Sequence, residues 1–160
     1  MSGAAQPPSQ ASAGGGPAQS SRILVYELQI PIRWGDMDAM GHVNNTVYFR
    51  YFEQTRISWF ESLGFGPDPQ GQGPVIVNAS CTFIRQFEYP GTVLTRHYVG
   101  ELGRSSFQTY VDMFRTDLPG VLHAQGAAKV VWVDFTRQKS VTLPQEMREA
   151  LVRPWQPQAV

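Results

Sequence analysis

Arg33-Trp34-Gly35-Asp36-Met37-Asp38-Ala39-Met40-Gly41-His42-Val43-Asn44-Asn45-Thr46-Val47-Tyr48-Phe49-Arg50-Tyr51-Phe52-Glu53 reads in three parts. Its first residues close a strand. Gly35 to Val43 form a loop carrying Asp36 and Asp38. From about Asn45 the pattern turns helical, with Asn44 or Asn45 as its N-cap. An acidic side chain therefore stands a few residues ahead of a helix N-terminus, where free backbone N–H groups and the positive end of the helix dipole attract negative charge. A carboxylate beside N–H donors is a minimal apparatus for attacking a carbonyl and holding the oxyanion that forms.

Upstream, Leu24, Tyr26, Leu28, Ile30, Ile32 and Trp34 alternate with Val25, Glu27, Gln29, Pro31 and Arg33, the pattern of a half-buried strand with one apolar face. Pro31 cannot donate to a ladder, so this strand has an unpaired side or a bulge. Downstream, the helix runs to Leu63 and stops before Gly64. Tyr48, Phe49, Phe52, Trp59, Phe60 and Leu63 make its apolar stripe, with Arg50, Gln54, Ile57 and Glu61 opposite. Asn45 and Arg56 fall inside the stripe, which predicts that Asn45 faces the sheet and that Arg56 is buried in an ion pair with Glu53. After the Gly/Pro-rich stretch from Gly64 to Gly73, strands are expected over 74–87, 92–102, 105–115 and 121–136. The last is rich in Ala and Val and suits an interior position. Pro144 opens a short helix over 145–152. Short connections after Pro74 favour an antiparallel meander. One long helix against a five-stranded sheet gives an α+β two-layer domain over 22–153. One helix covers only one face of such a sheet, so a homodimer or homotetramer is expected.

The 160 residues suit one domain, and 13 basic against 13 acidic residues give no net charge to draw nucleic acid or an anionic membrane. No apolar run reaches the length of a membrane span. Residues 1–21 are nearly all small or polar and read as a disordered tail, and 154–160 as a loose one. Cys81 is the single cysteine, which excludes an intrachain disulfide and fits a reducing, cytoplasmic setting.

The segment Gly35-Asp36-Met37-Asp38-Ala39-Met40-Gly41-His42-Val43-Asn44-Asn45, followed by Tyr48, Phe52 and Glu53, resembles the hotdog-fold acyl-CoA thioesterases, in particular the 4-hydroxybenzoyl-CoA thioesterase-like group with its YbgC-type enzymes. The resemblance implies a curved sheet wrapped on one central helix and hydrolysis of an acyl-CoA to a free acid and coenzyme A. It makes Asp38 the catalytic carboxylate, as nucleophile or as base for a water. It makes the N–H of Asn45 the donor to the thioester oxygen, and the turn Arg104-Ser105-Ser106 a neighbour of the coenzyme A phosphates. Coenzyme A is then part of the substrate, and no metal or redox cofactor is required. The benzoyl-specific members carry an aromatic-rich, Pro-containing stretch where this chain has His42-Val43-Asn44-Asn45.

Each of these residues also has a structural reading. Asp36 orders the loop or meets Arg33. His42 fixes the loop or orients Asp38, with proton transfer as its other role. Asn44 and Asn45 are capping residues. Arg104, Ser105 and Ser106 are equally a hairpin turn, and Arg85, Arg96 and Arg137 are further cations for a phosphate. His97 and His123 sit on strands without metal-like spacing and read as structural. Two rival functions share the fold: an acyl-thioester hydratase or dehydratase, and a non-catalytic acyl-CoA or acyl-carrier binding module.

Overall fold

The computed structural model describes residues 22–66 and 68–157; the tail expected over 1–21 lies outside them. Strand β1 (Ile23–Pro31) leads through a 3₁₀ turn (Trp34–Asp36) to helix α1 (Asn45–Ser62). Strands β2 (Gln72–Phe83), β3 (Thr92–Leu102), β4 (Ser106–Arg115), β5 (Leu122–Asp134) and β6 (Lys139–Ser140) follow, then helix α2 (Gln145–Leu151). All pairings are antiparallel, in the order β1-β3-β4-β5-β2, with β6 on the end of β5.

The order departs from the expected meander. Strands β3, β4 and β5 do follow one another, but β2 lies at the far edge against β5 rather than beside β3. The chain needs residues 84–91 to cross from that edge, so β2 stops at Phe83 and not at Phe87. The two-residue β6 makes a sixth strand, too short for any alternation to reveal.

In β1 the register shifts between Leu24 and Tyr26, and the extra residue moves the buried side chain to Val25 before Ile30 and Ile32 resume inward. The even alternation expected through Trp34 therefore breaks at both ends. Trp34, past the strand in the 3₁₀ turn, is 74% exposed.

Helix α1 starts where Asn44 Oδ1 accepts the N–H of Thr46 and ends at Leu63, with Gly64 at φ +80°. Its buried face is Tyr48, Tyr51, Phe52, Thr55, Trp59 and Phe60, while Phe49 is exposed. The N-terminal half packs on Phe87, Val93, Val111 and Met113. The C-terminal half packs with Val99, Phe107, Trp132 and α2's Met147 and Leu151. Gly126 on β5 lets the Phe52 ring lie against the sheet; any Cβ there would enter that ring. The segment after α2 is not loose throughout, because Trp155 donates its N–H to Leu24 O at 2.8 Å.

Candidate active site

Residues 36–44 fold as a tight antiparallel hairpin. Asn44 N–H bonds Asp36 O at 2.9 Å, Met37 bridges Val43, and Asp38 N–H bonds His42 O at 2.8 Å. Gly41 takes the left-handed conformation at its tip, φ +77°. One arm carries Asp38 and the other runs directly into α1. Hydrogen bonds tie the hairpin to the domain at two places. The N–H of Val43 bonds Phe87 O at 2.8 Å, from the 84–91 crossing. Asp36 Oδ2 accepts the Tyr51 hydroxyl at 2.8 Å and the Arg33 backbone N–H at 2.9 Å. Asp36 thus orders the loop, meeting the Arg33 backbone rather than its guanidinium. Burial, with the Asp36 carboxylate second, raises the Tyr51 pKa and keeps the phenol a donor.

Asp38 is exposed in the protomer. Its Oδ1 accepts N–H groups from Met40 at 2.8 Å and His42 at 3.5 Å, a local turn that orients the carboxylate. No hydrogen bond engages Oδ2 among the described residues. At the helix start, Asn44 donates to Asp36, Thr46 to Asn44 Oδ1 and Val47 to Asn44 O. The N–H of Asn45 has no partner among the described residues. This is the position to which the family resemblance assigns the donor. The Asn45 side chain is exposed and does not face the sheet as the stripe predicts.

His42 is half-buried, with Nε2 3.6 Å from Glu88 Oε1. Glu88 belongs to the 84–91 crossing, and nothing in the sequence pairs it with a residue so far upstream. His42 reaches Asp38 only through its backbone. Arg56 also departs from expectation: Glu53 bonds Arg50 at 3.0 Å, and Arg56 makes no salt bridge among the described residues. Burial depresses the Arg56 pKa, with Glu53 partly offsetting it. His123 is structural, Nδ1 2.8 Å from Val121 O and its ring stacked on Phe87. Burial pushes the Cys81 thiol up to about 11, so at neutral pH it stays protonated and a poor nucleophile. No group of three His, Cys, Asp or Glu among the described residues could hold a metal ion.

Arg104, Ser105 and Ser106 lie at the opposite end of the sheet. The Asp38 hairpin adjoins Thr92, the first residue of β3, and the turn follows Leu102, its last. Eleven residues of strand separate them by roughly 35 Å. Within one protomer they do not share a site. The turn is braced from α2, Arg148 Nη2 donating to Gly103 O and Arg104 O at 2.7 and 2.8 Å. Arg96 is held by Glu27 at 2.7 Å and Arg137 lies 3.9 Å from Asp134. Arg85 is exposed, in the crossing near Tyr48. No helix among the described residues is long and apolar enough to cross a membrane.

Comparison with known proteins agrees with this architecture. The PA2801 protein of Pseudomonas aeruginosa is 38% identical and superposes with a TM-score of 0.77 over 80% of this chain and 98% of its own. The gentisyl-coenzyme A thioesterase BH1999 is 25% identical, with a TM-score of 0.70 over 79% of this chain and 99% of its own. The acyl-acyl carrier protein thioesterase ATL3 of Arabidopsis thaliana is 27% identical over 79% of this chain and 67% of its own. The sequence pattern of the Thioesterase-like superfamily runs through residues 32–151, from the strand ahead of the Asp38 hairpin to the end of α2. A helix gripped by a six-stranded sheet, entered through that hairpin, thus has its counterpart across most of the chain, and the protein belongs to the Thioesterase-like superfamily, the hotdog-fold thioester hydrolases.

Proposed function

We propose that this protein hydrolyses acyl-CoA thioesters, with Asp38 delivering the attack and the Asn45 N–H polarising the thioester carbonyl. The unpartnered amide of Asn45 carries this reading: it sits at the positive end of α1, one arm of a hairpin away from a carboxylate with a free oxygen. Asp38 acts as nucleophile, forming an anhydride that water cleaves, or as base for that water. Coenzyme A thiolate leaves readily and needs little acid assistance, so His42 and Glu88 serve to hold the hairpin. Asn44 caps the helix and leaves the neighbouring amide free.

The reading includes a homodimer, formed in the cytoplasm through the open edge of β2. Val77 (56% exposed) and, where β2 ends, Phe83 and Ile84 (both 47%) are exposed apolar side chains on that edge. A two-fold axis pairs β2 antiparallel with its copy, so the start of one strand meets the end of the other. The partner's Arg104-Ser105-Ser106 turn then comes to the end of the sheet that holds Asp38. That geometry reconciles a phosphate contact with the separation inside one protomer, and Arg85 adds a cation at the same end.

Asp38→Asn tests the chemistry. It keeps the shape of the turn and its hydrogen-bond acceptor, so the fold persists and turnover falls by about 10²–10⁴-fold. Near-full thiol release from the variant, measured on the best substrate of an acyl-CoA panel, would remove Asp38 from the mechanism.

A further inference from the structure

A cavity of about 280 Å³ runs between one face of α1 and the inner face of β2, β3, β4 and β5. Thr46, Phe49, Glu53 and Arg56 line it at helical spacing, facing Val111 and Ala128. Its walls are mainly apolar. Two polar groups among its lining residues lack the partners that burial normally demands. His97 is 1% exposed, and neither ring nitrogen has a hydrogen-bond partner among the described residues. Such orphans are rare in native proteins. Arg56 is a partly buried cation whose nearest carboxylate influence, Glu53, is bonded to Arg50.

We propose that this cavity receives the acyl chain, and that Arg56 and His97 bind a carboxylate at the end of that chain remote from the sulfur. The preferred substrates are then CoA monothioesters of dicarboxylic acids. This inference rests on the thioester hydrolase reading and deepens it. Thr46 is one residue beyond the Asn45 amide, so the cavity begins beside the carbonyl-polarising donor. Arg56 is eleven residues beyond that amide, roughly 16 Å along the helix axis, and its side chain leans back toward the N-terminus. A chain of intermediate length bridges that distance between Phe49, Phe52 and Val111. Burial, with the Arg56 charge second, pushes the His97 pKa down to about 3, so the neutral ring has an N–H to donate. A carboxylate would satisfy that N–H and offset the Arg56 charge together, whereas an alkyl end would leave both unpaired.

The test compares succinyl-, glutaryl-, adipoyl- and suberoyl-CoA with their chain-matched monocarboxylic and ω-hydroxy thioesters, recording kcat and KM by thiol release from the full-length protein. At least one diacid thioester should exceed its alkyl match by about tenfold or more in kcat/KM, mostly through KM. Arg56→Met should erase that preference and Arg56→Lys should retain part of it. His97→Gln, which keeps a donor, should retain more of it than His97→Phe. Circular dichroism establishes that each variant is folded. Equal or better turnover of every alkyl match by the wild type, a preference for ω-hydroxy over ω-carboxy chains, or a preference that survives in folded Arg56→Met would each overturn the inference. Turnover of alkyl thioesters without any diacid preference sinks this inference alone; no thiol release from any acyl-CoA sinks the hydrolase reading beneath it.

Discussion

His97 makes stability respond to acid in a way that can be isolated. Its imidazole is fully buried, and burial, with the Arg56 charge second, takes it from an ordinary 6.5 down to about 3. Above 6.5 the ring is neutral in the folded and unfolded chains, so it contributes no pH dependence. Between 6.5 and 3 the unfolded chain binds a proton that the native fold refuses, and native stability falls with decreasing pH. At about 1.4 kcal/mol per unit, the loss between pH 7 and pH 5 comes to about 2 kcal/mol. Other groups titrate in this window, so the measurement is a difference. Urea denaturation of wild type and His97→Gln is followed at pH 7, 6 and 5 at one protein concentration, so that any association contributes equally to both. The wild type should lose about 2 kcal/mol more than the variant. Parallel curves for the two proteins would show that His97 is protonated as readily in the fold as outside it, and the burial argument would fail.

Three further perturbations address the scaffold of the hairpin and helix. Tyr51→Phe removes the hydroxyl that Asp36 accepts, at a cost of about 1.5–3 kcal/mol in thermal denaturation. Its hydrogen exchange should quicken first in residues 36–44. Asn44→Ala removes the α1 cap, and the urea midpoint should fall by the equivalent of about 1 kcal/mol. Gly126→Ala forces a methyl into the Phe52 ring and should destabilise by about 1–3 kcal/mol, whereas Gly120→Ala, at an open turn with φ +78°, tests backbone strain without crowding.

Local structure was legible in the chain and long-range geometry was not. Helix α1 could be bounded because its signals are adjacent to it: Asn44 at one end, Gly64 at the other, aromatics at helical spacing between. Strand β3 was readable from end to end because Pro90-Gly91 and Gly103-Arg104 punctuate it. The Val25 bulge was hidden because an extra residue in one strand is defined only against its partner. The edge position of β2 was hidden because nothing in 72–83 says which of three later strands it joins. Asp38, Asn44 and Asn45 lie within one local motif, and the hairpin leading into a helix capped by Asn44 followed from it, whereas the Asn45 side chain, expected against the sheet, is exposed. Glu88 beside His42 and Tyr51 beside Asp36 depend on packing between separated segments. His97 looked like an ordinary strand histidine; only the folded cavity shows its nitrogens unbonded near a cation. Tyr51 did carry a faint signal, a hydroxyl one helical turn from Tyr48 on the face turned toward the loop.

The two borders of the sheet are unequal, and the inequality limits how far strand-by-strand growth can proceed. The outer side of β1 is interrupted by its bulge, lacks an N–H at Pro31 and has the Leu24 carbonyl occupied by Trp155. Such a border is a poor template for another chain. If β2 joins its copy as proposed, the enlarged sheet exposes only two β1 borders and propagation terminates. A ribbon open at β2 and closed at β1 would then give a finite particle rather than a fibre, and any larger assembly would have to be built from helix or sheet faces.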